Sequence, residues 1–279
     1  MFYQSPRRWS AIVLGLSLLV PATAAAAPIQ FTASGATAGD ILGTVDAFRA
    51  AIGGGNNGNT PGAQGAGRRE INWDGGGSLA TAEGVTPFTN FQNRGSIFTT
   101  PGSGFLQATA DQPDGLADRF LQPDYATEFE RFSEARLFVP VDSTVTDGFF
   151  SVPGSNGTLP AVVTAFGAVF SDVDIANATT IQFFGFNDVL LTTLAAPVSP
   201  GGVSFAGVLF TAENITRIRI TTGNAAIGAT DEGGTDVVAM DDFIFAEPTP
   251  VPEPATLLLS GLGLVGLCRG VIRRRHSRQ

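Results

Sequence analysis

The side chains able to do chemistry in this chain are almost all carboxylates. Lysine is absent from its 279 residues, the one histidine is His276 and the one cysteine is Cys268, both near the C-terminus. The long middle of the chain therefore cannot assemble a Ser-His-Asp triad, a cysteine nucleophile, a lysine Schiff base or a zinc site of nitrogen and sulfur ligands. It cannot staple itself with disulfides either. What remains is the chemistry of Asp, Glu, Arg, Ser, Thr and Tyr. Carboxylates bind hard cations, Ca2+ above all, and facing pairs of them cleave glycosidic bonds. No spacing singles out such a pair, so no catalytic residue is assigned and the chain is read as a non-enzyme, with carboxylate-based glycan chemistry left open.

Three constellations carry the candidate sites. Asp172 and Asp174 follow an expected strand at i, i+2, and Asp241 and Asp242 open the last one. If these four meet at one end of a β-sandwich, they are candidate ligands for a structural Ca2+; ordinary strand-end acids are the competing reading. The run Asp111-Gln112-Pro113-Asp114-Gly115 with Asp118 lacks the ligand order of an EF-hand, and a Pro-Asp-Gly turn accounts for it. Finally, Asn72, Trp73 and Asp74 are glycan-contact candidates, because a sugar can stack on the indole while the flanking polar groups hold its hydroxyls. A Trp half-buried under a loop is the plainer alternative, and with Tyr125 the one tyrosine beyond residue 28 there is no broad aromatic platform.

The elements that must position these residues read as all-β. Runs rich in Val, Ile, Phe and Thr recur between Gly, Pro, Asn and Asp. They place strands near 71–73, 96–100, 105–110, 132–141, 148–152, 161–171, 180–186, 202–211, 215–221 and 237–245. Ile218 and Ile220 alternate with Arg217 and Arg219, the period of a strand with one wet face. About ten short strands with turn signals predict a two-sheet β-sandwich, jelly-roll-like, over residues 28–246. One helix is expected at 45–52, capped by Thr44 and stopped by Gly53. The Gly/Asn-rich stretch 53–67 offers almost nothing to bury and reads as a loop or short disordered insertion. Residues 247–254 read as a stiff proline-rich linker.

Both ends carry address signals. Residues 1–27 have a basic start, an apolar core and a run of small residues, the layout of a secretory signal peptide. At the other end, Pro252, Glu253 and Pro254 precede the apolar run 255–272. As a helix that run is about 27 Å long, just enough to cross a bilayer. The basic tail 273–279 then fixes the C-terminus in the cytoplasm. Between the two signals lie 24 acidic and 9 basic residues, a net charge of −15 against −9 for the whole chain. Such a surface repels nucleic acid, so no nucleic-acid partner is expected.

The motif, span and terminal arginine run together resemble the PEP-CTERM sorting signal of Gram-negative bacteria that make extracellular polysaccharide. The resemblance covers about a tenth of the chain. It implies an exosortase, a membrane-embedded cysteine protease or transpeptidase, as the processing partner, with Pro252, Glu253 and Pro254 as the recognition motif. It also implies a protein tethered in the inner membrane before processing, then placed at the cell surface or in the extracellular matrix, with exopolysaccharide as a possible partner. The expectation is thus an exported, non-catalytic surface or exopolysaccharide-matrix protein. A carbohydrate-active hydrolase or lyase using carboxylates, and a Ca2+-dependent glycan-binding module, are the alternatives.

Overall fold

The computed structural model describes residues 27–212 and 214–251. The expected signal peptide up to residue 26, the motif Pro252-Glu253-Pro254, the apolar run 255–272 and the basic tail 273–279 lie outside the described residues. Among the described residues no helix is long and apolar enough to cross a membrane.

Fifteen strands form two main antiparallel sheets and a short ladder. In chain order they are β1 (Ile29–Gly35), β2 (Arg68–Ile71), β3 (Ala82–Gly84), β4 (Ser96–Thr99), β5 (Gly104–Ala108), β6 (Leu137–Val141), β7 (Val145–Phe150), β8 (Ala161–Val162), β9 (Ala165–Val173), β10 (Thr180–Phe184), β11 (Leu190–Ala195), β12 (Ser199–Leu209), β13 (Arg217–Thr221), β14 (Ala239–Ala246) and β15 (Thr249–Pro250). Three helices accompany them: α1 (Ala38–Ile52), α2 (Leu116–Phe120) and α3 (Tyr125–Glu128). The larger sheet runs β1-β12-β9-β14-β6-β5-β3, with β2 also paired to β14, and the smaller runs β11-β10-β13-β7-β4.

The all-β reading holds, and the two sheets face each other. Phe150 of the small sheet meets Phe166 and Phe245 of the large one, and Phe98 meets Phe243. The alternation seen at 217–221 does what its period requires: Ile218 and Ile220 are fully buried, and Arg217 and Arg219, which alternate with them, are not. The outer face of the large sheet is covered as well. Phe48 of α1 packs on Phe31 and Phe205. A side chain at Gly167 would come within 3.0 Å of the Phe48 ring and 2.8 Å of Phe205, so this contact depends on glycine. At the other end α2 and α3 cover Leu106, Leu137, Val139 and Ala239.

The helix differs from its expected bounds. It starts seven residues before Val45, because Thr37 and Asp40 supply the cap: the Asp40 carboxylate accepts the Thr37 backbone N–H at 2.9 Å and its hydroxyl at 3.0 Å. Gly53 ends it as read. The expected strand over 132–141 begins at Leu137, since the N–H groups of Phe132 and Ser133 point at the Asp241 carboxylate and not at a neighbouring strand.

The stretch 53–67 is held in place by Arg69, which is fully buried. Its guanidinium donates to both Glu247 carboxylate oxygens, at 2.6 and 2.8 Å, and to the carbonyls of Gly58, Thr60 and Gly62. Asn57 and the Gln64 N–H also donate to Glu247. Residues 247–251, expected as the first part of a linker, belong to the fold: Glu247 is buried, Thr249–Pro250 pair with Ala161–Val162, and the Val251 N–H donates to the Pro160 carbonyl at 3.3 Å.

Removing one partner of a buried ion pair leaves an unpaired charge and costs about 3–5 kcal/mol. Glu247→Gln should therefore lower the denaturant midpoint of the folded domain by a loss of that order. A change within about 0.5 kcal/mol, typical of a surface substitution, would show that the pair is not holding the loop.

Candidate metal centre

The four aspartates grouped as metal ligands fall into two separate clusters. Met240 pairs with Phe170 and Phe243 with Ala168, so Asp241 and Asp242 together oppose Val169 in a β-bulge. Asp172 lies three residues along β9 from that point, roughly 10 Å at strand spacing. The expectation that all four meet at one end of the sandwich is corrected on this ground: the pair 241/242 sits inside β14 and not at its opening.

Asp172 and Asp174 instead join acids that the sequence reading did not single out. Carboxylate oxygens of Glu128, Asp172 and Asp231 lie within 4.8 Å of one another. Each comes from a different element. Glu128 ends α3, Asp172 is at the end of β9 with a left-handed backbone (φ 65°), and Asp231 lies in the 223–237 loop. Tyr125 fixes two of the three relative to each other. Its buried hydroxyl donates to the Ala229 carbonyl at 2.5 Å and accepts the Gly228 N–H at 3.0 Å, tying the loop to α3. Burial, followed by the carboxylates around it, pushes that phenol up to about 12. Asp236 organises the adjoining turn, accepting the N–H groups of Asp174 and Ile175.

The electrostatics of this cluster are uncompensated. Asp172 Oδ1 accepts the Gly201 N–H at 2.7 Å, yet burial, with Asp174, Asp231 and Glu128 adding to it, pushes the acid up to about 8. Glu128 and Asp231 are raised too, burial again being the first cause. One oxygen of each, Glu128 Oε2 and Asp231 Oδ1, is buried without a hydrogen-bond partner. Among the described residues no arginine forms an ion pair with any member of the cluster. Oxygen atoms spaced this way can surround one cation at about 2.4 Å from each, the Ca2+ distance. A donor set of oxygen alone selects Ca2+ over transition metals.

The second cluster is satisfied from within. Asp241 is fully buried and accepts the Phe132 and Ser133 N–H groups, while the Ser133 hydroxyl sits 2.7 Å from Asp242 and 3.2 Å from Asp241. Asp74 accepts the Arg136 N–H at 3.1 Å beside them. Burial raises Asp241 well above the carboxylate range, with Asp242 the next cause, and burial lifts Asp242 to about 6. Arg49 of α1 stands 3.9 Å from Asp242.

Trp73 belongs to the core. It is fully buried, stacks on Phe138 at 3.8 Å and donates from Nε1 to the Asp241 carbonyl at 2.6 Å. Asp74 is also buried, and Asn72, the one exposed member of the three, adjoins them. In this arrangement the indole shows no face on which a sugar could stack. Two cavities lie elsewhere. One, of about 360 Å3, is at the β3–β5 edge beside Glu83, Arg119 and Phe120. The other, of about 370 Å3, is lined by Ile97, Phe149, Pro160, Phe186 and Val251 among others.

Comparison with known families matches residues 250–275 to the PEP-CTERM protein-sorting motif. No curated protein and no solved structure matches the chain. The matched segment begins at Pro250, the last residue of β15, and contains Pro252, Glu253 and Pro254. It implies a protein that an exosortase sorts to the cell surface.

Two outcomes follow for the clusters. A cation bound to the folded state alone stabilises it by about 2.7 kcal/mol at hundredfold excess over Kd. Millimolar Ca2+ against chelator should then separate the thermal melts by several degrees, and Asp172→Asn with Asp231→Asn should erase the difference; superimposable wild-type melts would contradict the site. For the second cluster the sign runs the other way from a salt-bridged acid. Asp242 is raised in the fold, so its contribution is complete below its unfolded value and is lost as pH rises through about 6. Denaturant titrations in chelator should show stability falling from about pH 4 to about pH 7, less steeply in Asp242→Asn. Parallel pH profiles for the two proteins would refute this.

Proposed function

We propose that this chain is an exported, non-catalytic β-sandwich protein of the bacterial surface or exopolysaccharide matrix, delivered by its C-terminal sorting segment. The observation that carries the reading is the match of residues 250–275 to the PEP-CTERM sorting motif, which begins at the last strand residue of a folded domain. The chain is held at the inner membrane by residues 255–272, with the arginine run inside and Pro252-Glu253-Pro254 on the outer side. Two prolines leave that stretch short of backbone donors, which suits it to a protease cleft. Cleavage there removes the apolar run and the basic tail and leaves a domain of net charge −15.

Composition supports the non-catalytic half: residues 28–251 lack His, Cys and Lys. Asp241, Asp242 and Asp74 are buried among their own hydrogen-bond partners, which fits a structural role for these acids. The oxygen cluster of Glu128, Asp172 and Asp231 favours a structural Ca2+ as the accompanying ion.

Replacing Pro252, Glu253 and Pro254 together by Ala should leave an uncut species in the membrane fraction of the native host, while the wild-type domain leaves that fraction. Equal partition of both proteins would refute the sorting reading. Release of reducing ends or unsaturated sugars from the host's own exopolysaccharide by the wild-type domain, abolished by one Asp or Glu substitution, would refute the non-catalytic one.

A further inference from the structure

We infer that the end of the sandwich around Val251 is a membrane-docking face, resting on the outer leaflet while the chain is still anchored; this rests on the sorting reading above. Only three residues separate Val251, whose N–H is bonded to Pro160, from the apolar run that begins at Ala255. The four steps from Val251 to Ala255 reach at most about 14 Å. The headgroup layer on one side of a bilayer takes up about 6 Å of that. The apolar run itself is only just long enough to cross, so it has no residues to spare on the outer side. The folded domain is thereby held against the membrane, with the Val251 end towards it.

That end is built for such a contact. The cavity of about 370 Å3 beside Val251 opens between Ile97, Phe149 and Phe186. Phe149 and Phe186 are 39% and 43% exposed, unlike the core phenylalanines, and Leu159 next to Pro160 and Val189 in the turn after Phe186 are 56% and 57% exposed. Ile97 and Phe149 are register partners on the outer face of the small sheet, and Arg217 is the next partner across. Arg217 stacks over Phe184 at 3.7 Å and is paired with Asp147 and Asp188, and Arg219 with Asp147. Among the described residues these four charges cancel, so this face carries little net charge on a domain of net charge −15. Aromatic and aliphatic side chains rimmed by arginine are the groups that partition into the headgroup boundary. Anionic lipid, which the rest of the surface repels, does not repel this face.

The test uses the full chain in vesicles of phosphatidylethanolamine with a minor share of phosphatidylglycerol, their acyl chains brominated. Brominated chains quench tryptophan that reaches the boundary. Phe186→Trp reports on the proposed face. Val85→Trp, at a position 77% exposed beside β3 in the other sheet, serves as the control. Trp9 is replaced by Phe in both variants, and Trp73, which is buried, contributes a constant background. The tryptophan introduced at 186 should lose most of its emission and the one at 85 almost none. Equal quenching at both positions, or none at 186 in a chain that stays with the vesicles after an alkaline wash, overturns the docking face and leaves the sorting reading intact. Shielding at 186 that needs host membranes containing the processing enzyme would also overturn it, assigning the face to a protein partner. A chain that leaves the vesicles on washing defeats the anchoring reading and this inference together.

Discussion

The arrangement depends first on one buried guanidinium. Arg69 is separated from water completely, and a charge so placed persists only if its donors are all used. Glu247 takes two of them, and the carbonyls of Gly58, Thr60 and Gly62 take the rest. A loop of glycines and asparagines has few side chains to bury but a full set of carbonyls. Arg69 uses the part of the loop that is available, and the stretch is ordered through its backbone. The same contact pins Glu247, and through it the strand 249–250 and Val251. Order at the loop and order at the C-terminal exit are one constraint.

A second constraint is the bulge in β14. It places Asp241 and Asp242 on the outer side of the large sheet between Arg49 and the Ser133 segment. There, backbone N–H groups, a hydroxyl and a nearby guanidinium answer most of what the carboxylates need. The cluster of Glu128, Asp172 and Asp231 is its opposite. Its members arrive from a helix, a strand end and a loop, and what surrounds them is mostly more carboxylate. Oxygen atoms without partners and without a counter-charge are the physical mark of a cation site. The same acids would be ordinary if an arginine stood beside them.

Sequence periodicity located the elements whose burial is one-sided and local. The strand at 217–221 and the stop at Gly53 are examples. It missed what is decided at a distance. Strand β1 lies just after the expected cleavage region and pairs with β12, more than 160 residues away. The start of α1 was misplaced because Thr44 looked like a cap, whereas the Thr37–Asp40 pair is the one whose geometry closes. Arg69 and Glu247 are 178 residues apart, and nothing local marks either as the other's partner. Asp231 stands in a loop between two expected strands where no spacing marks a ligand, and Glu128 ends a helix too short to show a period. Trp73 read as half-buried at most because its neighbours in sequence are polar, but Asp74 spends its polarity on the Arg136 backbone inside the protein. The sorting segment was legible in full because its signal is linear: a motif, an apolar run and a basic end in a fixed order.

Sorting and fold meet at Val251. On the proposed sorting reading, a processing enzyme at Pro252-Glu253-Pro254 meets a chain whose preceding residues are stitched into the sandwich. The central claim is therefore that the fold runs without slack to the edge of the motif, and native-state hydrogen exchange of the full chain tests it most directly. The amides of Glu247 and Val251 should exchange slowly in the wild-type protein. In Glu247→Gln the Val251 amide should lose its protection while the amides of β9 keep theirs. A Val251 amide that exchanges freely in the wild-type protein would contradict the account.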